Sequence, residues 1–451
     1  MKRLLLFPLI AMAATGCTAQ DHRQDASAPA VYSGAIPVTV ERTDDGVRLL
    51  RGGTPYFIKG AGGDSHLEML VAAGGNSIRT WGADQLEPRE WPDGRVMSLM
   101  DRAHELGLTV TAGFWVQHLP GGFKAGEGFD YDNPDDVQRQ LDAAREFALK
   151  WKDHPALLMW GVGNEAMGDD RVRSMQEINR VAAVFKEADP DHPTSTVLAG
   201  VWPDKVRVFA EHGTDIDVLG INAYGGAIAV PQQTLAQGYD GPYFLGEYGP
   251  IGHWETAIAS WGAEVEQSTA GKARTYEEFY KAAIGNQPDR AIGGYVFLWG
   301  NKQERTDTWY SMILPGRDGG AEKTAAVDVM TKLWTGRWPD NRAPLVEGIE
   351  TTLSMSRQRP GAQVRAQALV SDPDNDPLSY QWLVRRESDD KGVGGAAERV
   401  PEDVPVTIVG GARRITVTLP TEPGAYRLHL YVRDISGGVG AANVPFYIVP
   451  E

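Results

Sequence analysis

Leu157-Leu158-Met159-Trp160-Gly161-Val162-Gly163-Asn164-Glu165 decides the fold. A short apolar run of this kind reads as a buried strand, and it ends abruptly on an amide and a carboxylate. Tyr243-Phe244-Leu245-Gly246-Glu247-Tyr248 repeats the design further along. In a closed parallel barrel the residues that do chemistry sit at the carboxyl ends of the strands. Two carboxylates delivered by two such ends can serve as acid, base or nucleophile at one substrate bond.

Working outward, short apolar runs alternate with amphipathic stretches. Leu67 to Ala73 reads as a helix stopped by Gly74-Gly75, and Ser77 to Trp81 as the next strand. Val96, Leu99, Met100, Ala103 and Leu106 form a helical stripe ended by Gly107, followed by a strand from Leu108 to Ala112. A glycine-rich loop through Gly121, Gly122, Gly126 and Gly128 comes next. Asn133 as N-cap and Pro134 at the first helical position then open a helix running to about Trp151. After Glu165 the pattern continues with a helix from about Asp170 to Glu187 and strands at 195–199, 218–223, 243–246 and 292–299. A helix near Thr324 to Trp334 closes the series. Eight strands from Tyr56 onward, each followed by a helix or loop, predict an α/β fold, a (β/α)8 TIM barrel over residues 38–338 with a hairpin before its first strand. From residue 339 the helical period gives way to alternating runs such as Arg414 to Leu419 and Tyr426 to Val432. Residues 339–451 therefore read as an Ig-like β-sandwich. Because that pattern contains its own core, the sandwich is expected to be an accessory domain that the barrel can do without.

Composition narrows the partners. Of 451 residues, 42% are hydrophobic and 23% charged, as in ordinary globular chains. A formal net charge of −16 argues against nucleic acid as a partner. Thirteen tryptophans offer flat apolar faces of the kind that stack on sugar rings. At the N-terminus, Lys2 and Arg3 precede an apolar run from Leu4 to Ala14, too short to span a bilayer. It closes on Ala14-Thr15-Gly16-Cys17, which resembles the lipobox of bacterial lipoproteins, with Ala14 where Leu is commoner. That resemblance implies a signal peptide at 1–16, a lipidated Cys17 and a tether at 17–37. It also implies an exported protein held to the membrane of the cell envelope by its lipid. An ordinary secretory signal with an incidental cysteine is the alternative. Cys17 is the single cysteine, so no intrachain disulfide can form.

Residues 54–334 resemble the retaining (β/α)8 glycoside hydrolases of clan A. In these an Asn-Glu at strand four supplies the acid/base, and a Glu at strand seven the nucleophile. The resemblance places Glu165 and Glu247 in those roles. Tyr243 to Gly249 is similar to the nucleophile strand of fungal β-1,3-glucanosyltransferases. Phe57-Ile58-Lys59-Gly60 is similar to strand one of that family and of the β-galactosidase and β-glucuronidase relatives. Residue by residue, Arg79 matches the strand-two arginine that keeps the nucleophile ionised, and Tyr224 the strand-six tyrosine that hydrogen-bonds it. Asn164 matches the residue that holds the sugar 2-hydroxyl, and Trp299 the strand-eight platform below the reacting ring. The implied activity is retaining hydrolysis of a β-linked oligosaccharide or polysaccharide, a β-glucan first, with two carboxyl groups ~5–5.5 Å apart. Transfer to a sugar instead of water uses the same residues and stays open. A binding-only surface lipoprotein has no need of both carboxylates.

Weaker signals complete the reading. His118 and His253 follow strands three and seven, and with Trp115 are candidates for binding substrate. No HExxH or clustered His/Cys spacing exists, so neither a catalytic metal nor a cofactor is expected. Gly60-Ala61-Gly62-Gly63-Asp64-Ser65 and Gly161 to Ala166 mimic a dinucleotide fingerprint but lack its third glycine. Asp372-Pro373-Asp374-Asn375-Asp376 resembles calcium-binding turns of cadherin-like sandwiches, although a solvated acidic turn is the plainer reading. Tyr380 and Trp382 share one face of a strand and are expected to pack in the sandwich core.

Overall fold

The computed structural model describes residues 34–44, 46–120, 129–392, 395–396 and 398–450. The signal-like segment with Cys17, most of the tether and the glycine-rich stretch 121–128 lie outside the described residues. Eight parallel strands close into a barrel: β1 (Ile58–Gly62), β2 (Ser77–Arg79), β3 (Thr109–Phe114), β4 (Leu157–Asn164), β5 (Thr194–Ala199), β6 (Val218–Asn222), β7 (Tyr243–Tyr248) and β8 (Ala291–Val296). Closure comes from the parallel pairing of β8 with β1, where Tyr295 lies opposite Gly60. Every residue of β4 and β7 is buried, as strands covered on both faces must be. Gly60 and Gly62 lie within β1, and Gly161 and Gly163 within β4, so the paired glycines of both patterns are strand residues and not the turn a nucleotide cradle needs.

Helices surround the barrel where the period predicted them, with ends set by local chemistry. The helix Pro134–Trp151 begins because the Asn133 side chain accepts the Asp135 amide at 3.0 Å, a cap worth about 1 kcal/mol. The Val96 stripe starts later than expected. Val96–Met97 pairs with Arg89–Glu90, and Ser98 caps a helix over Leu99–Glu105. A three-stranded antiparallel sheet (Val38–Thr43, Gly46–Arg51, Thr54–Tyr56) precedes β1, one strand more than a hairpin. Its Val38, Val47 and Leu49 pack on Ile58, Leu158 and Phe244, at the start of the barrel strands. The opposite end is left open. Among the described residues no helix is long and apolar enough to cross a membrane.

After the barrel, two sheets face each other. One holds Leu345–Thr351, Gln363–Ser371, Arg414–Thr418 and Thr407–Gly410; the other holds Ser356–Gln358, Val439–Ile448, Gly424–Arg433, Ser379–Arg386 and Asp403–Val404. Val364, Ile415 and Val417 of the first meet Val384, Leu428 and Phe446 of the second. Tyr380 and Trp382 pack against this core, and Trp382 Nε1 donates to the Ala412 carbonyl at 3.0 Å. In the acidic turn, Asp372 Oδ1 accepts the amides of Asp374 and Asp376, so one carboxylate oxygen is already used by the backbone.

The sandwich does not hang free. Residues 34–451 form one compact unit, joined by buried polar contacts between the barrel and the sandwich. Arg305, after β8, pairs with Glu398 at 2.6 Å, and the same carboxylate accepts the Arg305 amide at 2.7 Å. Arg427 Nη2 donates to the Glu264 carbonyl at 2.6 Å, Lys391 pairs with Glu264 at 2.7 Å, and Tyr431 donates to Asp307 at 2.8 Å. The alternation that marks sandwich strands says which faces are buried, not that a second domain supplies part of the burial. For that reason the sequence overstated the independence of the sandwich.

Candidate active site

At the open end of the barrel lies a cavity of about 720 Å³, lined by Asn164, Glu165, Tyr224 and Glu247 together with a set of aromatic side chains. Strand geometry brings the two glutamates there. On β4 the register against β5 slips between Gly161 and Asn164, and Gly163 sits at φ +79°, a bulge that turns the strand end inward. The Glu165 amide then reaches the Val197 carbonyl at 2.7 Å. On β7, Gly246 is the extra residue between Leu245 and Glu247 in the pairing with β6. A Cβ there would meet Val197 at 2.7 Å and Asn222 Oδ1 at 2.8 Å. Only glycine lets β7 approach this closely.

The two carboxylates have different company. Glu247 Oε1 accepts from Arg79 Nη1 at 3.2 Å and from Trp81 Nε1 at 2.8 Å, and its Oε2 accepts from the Tyr224 hydroxyl at 2.9 Å. Three donors, one of them a buried guanidinium, converge on this carboxylate and fix its orientation. Burial and the Glu247 charge push the Tyr224 phenol well above its usual range, so it stays a donor. Among the described residues, Glu165 Oε1 accepts only from the neutral amide of Asn222, at 2.7 Å. Removal from water, and then the negative charge of Glu247, raise the Glu165 carboxyl to about 7. Asn164 Oδ1 accepts both Arg79 Nη2 at 2.6 Å and Asn222 Nδ2 at 3.2 Å, which leaves its NH2 group as the donor for a ligand.

These groups make a pH prediction with a definite sign. A proton donor of pKa about 7 loses its proton as pH rises through that value. On a substrate with a poor leaving group, kcat/KM is therefore expected to fall about tenfold per pH unit above ~7, while Glu165→Gln should lack this limb. A profile that stays flat to about pH 9 in the unmutated protein contradicts the assignment of Glu165 as acid.

Not every expected residue lines the cavity. Trp115 and His253 do, but His118 does not. It is buried, and its ring stacks on Trp115 at 5.0 Å. His253 hydrogen-bonds the Tyr310 hydroxyl at 3.0 Å through Nδ1 and receives Arg305 Nη2 at 3.0 Å on Nε2. Burial first, and Arg305 second, push it down to about 4, so the ring is neutral. Trp299, expected as the platform, is 1% exposed and faces Trp334. The reason is that β8 ends at Val296, where the Phe297 amide turns to the Tyr248 carbonyl. The ring from this segment that lines the cavity is Phe297, edge-on to Trp81 at 6.0 Å and to Tyr224 at 6.2 Å.

Trp81 and Asn222 were missed, although the sequence held their signal. Each lies two residues from a recognised position, Arg79 or Tyr224, and successive side chains on a strand alternate in direction. Lys302, Glu304, Arg305 and Tyr310 after β8, and Gly392 and Gly395 from the sandwich, also line the cavity. Lys302 Nζ donates to the Gly395 carbonyl at 2.9 Å, which ties the sandwich loop to this wall. No local pattern marks these residues, because folding alone brings them together. Among the described residues no cluster of three His, Cys, Asp or Glu side chains is arranged to hold a metal.

No curated protein matches the chain by sequence. Similar solved structures include Bacteroides uniformis β-glucuronidase 2, 14% identical with TM-score 0.46, covering 92% of this chain and 48% of that one. Another is the β-D-glucuronidase of Dictyoglomus thermophilum, 19% identical with TM-score 0.46, covering 67% of this chain and 54% of that one. The chain thus spans about half the length of these structures. Residues 67–252, which contain Arg79, Glu165, Tyr224 and Glu247, match the model for the TIM-barrel domain of glycosyl hydrolases family 2.

Proposed function

We propose that the protein is a retaining glycoside hydrolase acting on a β-linked glycan by double displacement. Glu247 attacks the anomeric carbon, while Glu165 gives its proton to the departing oxygen. A glycosyl ester on Glu247 results. Glu165, now ionised, takes a proton from water, whose oxygen displaces Glu247 and restores the β anomer. Arg79, Trp81 and Tyr224 hold the Glu247 carboxyl group in place for attack, and the Asn164 amide is placed to donate to a ring hydroxyl.

A single observation carries this reading: three donors converge on Glu247, while Glu165 is left with one neutral amide and a raised pKa. Two carboxylates in such unlike surroundings, one held by three donors and the other raised and able to keep its proton, divide into nucleophile and acid. A β-glucan stands first among glycans to test, on the likeness of Tyr243 to Gly249 to glucanosyltransferase strands.

The test is a panel of aryl β-glycosides of glucose, galactose and glucuronic acid with matching oligosaccharides, followed by proton NMR of the first product. Net retention is expected; an inverted anomer overturns the mechanism. Glu165→Ala should lose about 10²–10⁴-fold on oligosaccharides and much less on substrates with activated leaving groups. Azide should then restore the rate with a β-glycosyl azide as product, because a small anion needs no base.

A further inference from the structure

We infer that the rim of the cavity carries a second sugar site, built from Trp202, Trp254 and Glu255, which takes the sugar unit on the leaving-group side of the cleaved bond. This inference rests on the retaining reading and adds to it what the leaving group is: another sugar, not a small aglycone.

The first observation is an unusual exposure. Trp202 and Trp254 line the cavity yet are 48% and 57% exposed, and Trp338 is the only other exposed tryptophan among the described residues. Large aromatic faces left open beside a site mark a binding surface. Both rings are held. Trp254 stands edge-on to Tyr224 at 5.3 Å and to His253 at 4.8 Å, while Trp202 lies so close to Gly226 that a Cβ there would meet its ring at 3.0 Å.

The second observation is the carboxylate beside them. Glu255 Oε2 accepts the amides of Gly225 and Gly252, both at 2.9 Å. Among the described residues no cation pairs with it, whereas Glu304 pairs with Lys302. An ionised carboxylate has about four lone-pair sites, so Glu255 keeps acceptor capacity for hydroxyl groups. Aromatic faces with an adjacent acceptor complement a pyranose ring, which has an apolar C–H face and a rim of hydroxyl donors. A plain aryl group would use the rings and leave that remaining acceptor capacity unused.

Position assigns the side. Trp202 follows β5, and Trp254 and Glu255 follow β7, flanking the β6 segment whose Asn222 holds Glu165. Arg79 of β2 and Trp81 just past it gather around Glu247, which the Tyr224 hydroxyl also reaches from the end of β6. The proton donor faces the departing oxygen, so the sugar joined through that oxygen lies towards Trp202 and Trp254. The same site can receive an acceptor sugar. Its hydroxyl oxygen then bonds to the anomeric carbon as the bond to Glu247 breaks, and its proton passes to Glu165.

Acceptor turnover reads this site directly. The enzyme is trapped with 2,4-dinitrophenyl 2-deoxy-2-fluoro-β-glycosides of glucose, galactose and glucuronic acid. Recovery of activity is then timed in buffer and with cellobiose, laminaribiose or lactose. At least one disaccharide should speed recovery about tenfold over water. Trp202→Ala and Trp254→Ala should each cut that advantage about tenfold, and Trp→Phe at either position should keep most of it. If Glu247 is labelled but no disaccharide outpaces water, the rim site is wrong. It is equally wrong if both alanine variants keep the full advantage. Failure of every reagent to label Glu247 strikes the retaining mechanism itself, and the rim site falls with it.

Discussion

Glu247→Ala is expected to abolish turnover on every glycoside, by on the order of 10⁵-fold in kcat, with KM for a good substrate little changed. The size follows from what is lost. In the proposed mechanism the side chain is the group that bonds to carbon, and it is also the acceptor around which Arg79, Trp81 and Tyr224 are arranged. Without it the Arg79 guanidinium, 2% exposed, is left beside an empty space with only the Gly246 carbonyl and Asn164 to receive its hydrogen bonds. Stability should therefore fall as well, since removing one partner of a buried ion pair costs about 3–5 kcal/mol. Glu247→Gln separates the two effects, because its amide oxygen can still accept from Arg79 although it cannot attack. That variant should be as inactive as the alanine one while unfolding at a urea concentration nearer that of the unmutated protein. Activity of either variant within tenfold of the unmutated protein removes Glu247 from the nucleophile's place.

A chain ending at Asn341 should be inactive and should fail to fold cooperatively. Such a truncation removes Glu398 from Arg305, Lys391 from Glu264, and Tyr431 and Arg385 from Asp307. It also removes Asn443 from Glu266, a fully buried carboxylate otherwise paired with Lys272. Several charged groups would lose partners at once. A gentler version keeps the whole chain: Glu398→Ala leaves Arg305 with Glu264, His253 and the Gly392 carbonyl. It should lower the unfolding free energy by about 3 kcal/mol. KM should also rise, because Arg305 belongs to the cavity wall. A soluble, cooperatively unfolding fragment with full activity on an aryl glycoside would show that the interface is dispensable.

Much of this molecule can be read before folding, and the limit has a physical cause. Buried parallel strands are continuous apolar runs, so β4 and β7 announce themselves and their polar ends stand out. Arg79, Asn164, Glu165, Tyr224 and Glu247 are legible because each is the last polar residue of such a run or lies just past it. Trp81 and Asn222 were recoverable from the two-residue period alone. Trp299 was misplaced because the end of β8 depends on where the Phe297 amide finds a carbonyl, and that carbonyl belongs to Tyr248, some fifty positions earlier. The wall formed by Lys302, Arg305, Gly392 and Gly395 had no signal of its own. Its residues come from a loop and a second domain, and neither carries a periodic pattern that points at a cavity.

The sandwich loop at this wall bears on how such enzymes diversify. The stretch matched to the family, 67–252, holds the reacting groups, whereas Lys302, Arg305, Gly392 and Gly395 lie downstream of it. In the proposed mechanism the reacting groups and part of the cavity wall thus lie on different portions of the gene. Chains alike over the first portion can share a reaction and differ in diet. Swapping sandwiches between them should move preference among glycans without touching a single proton-transfer step.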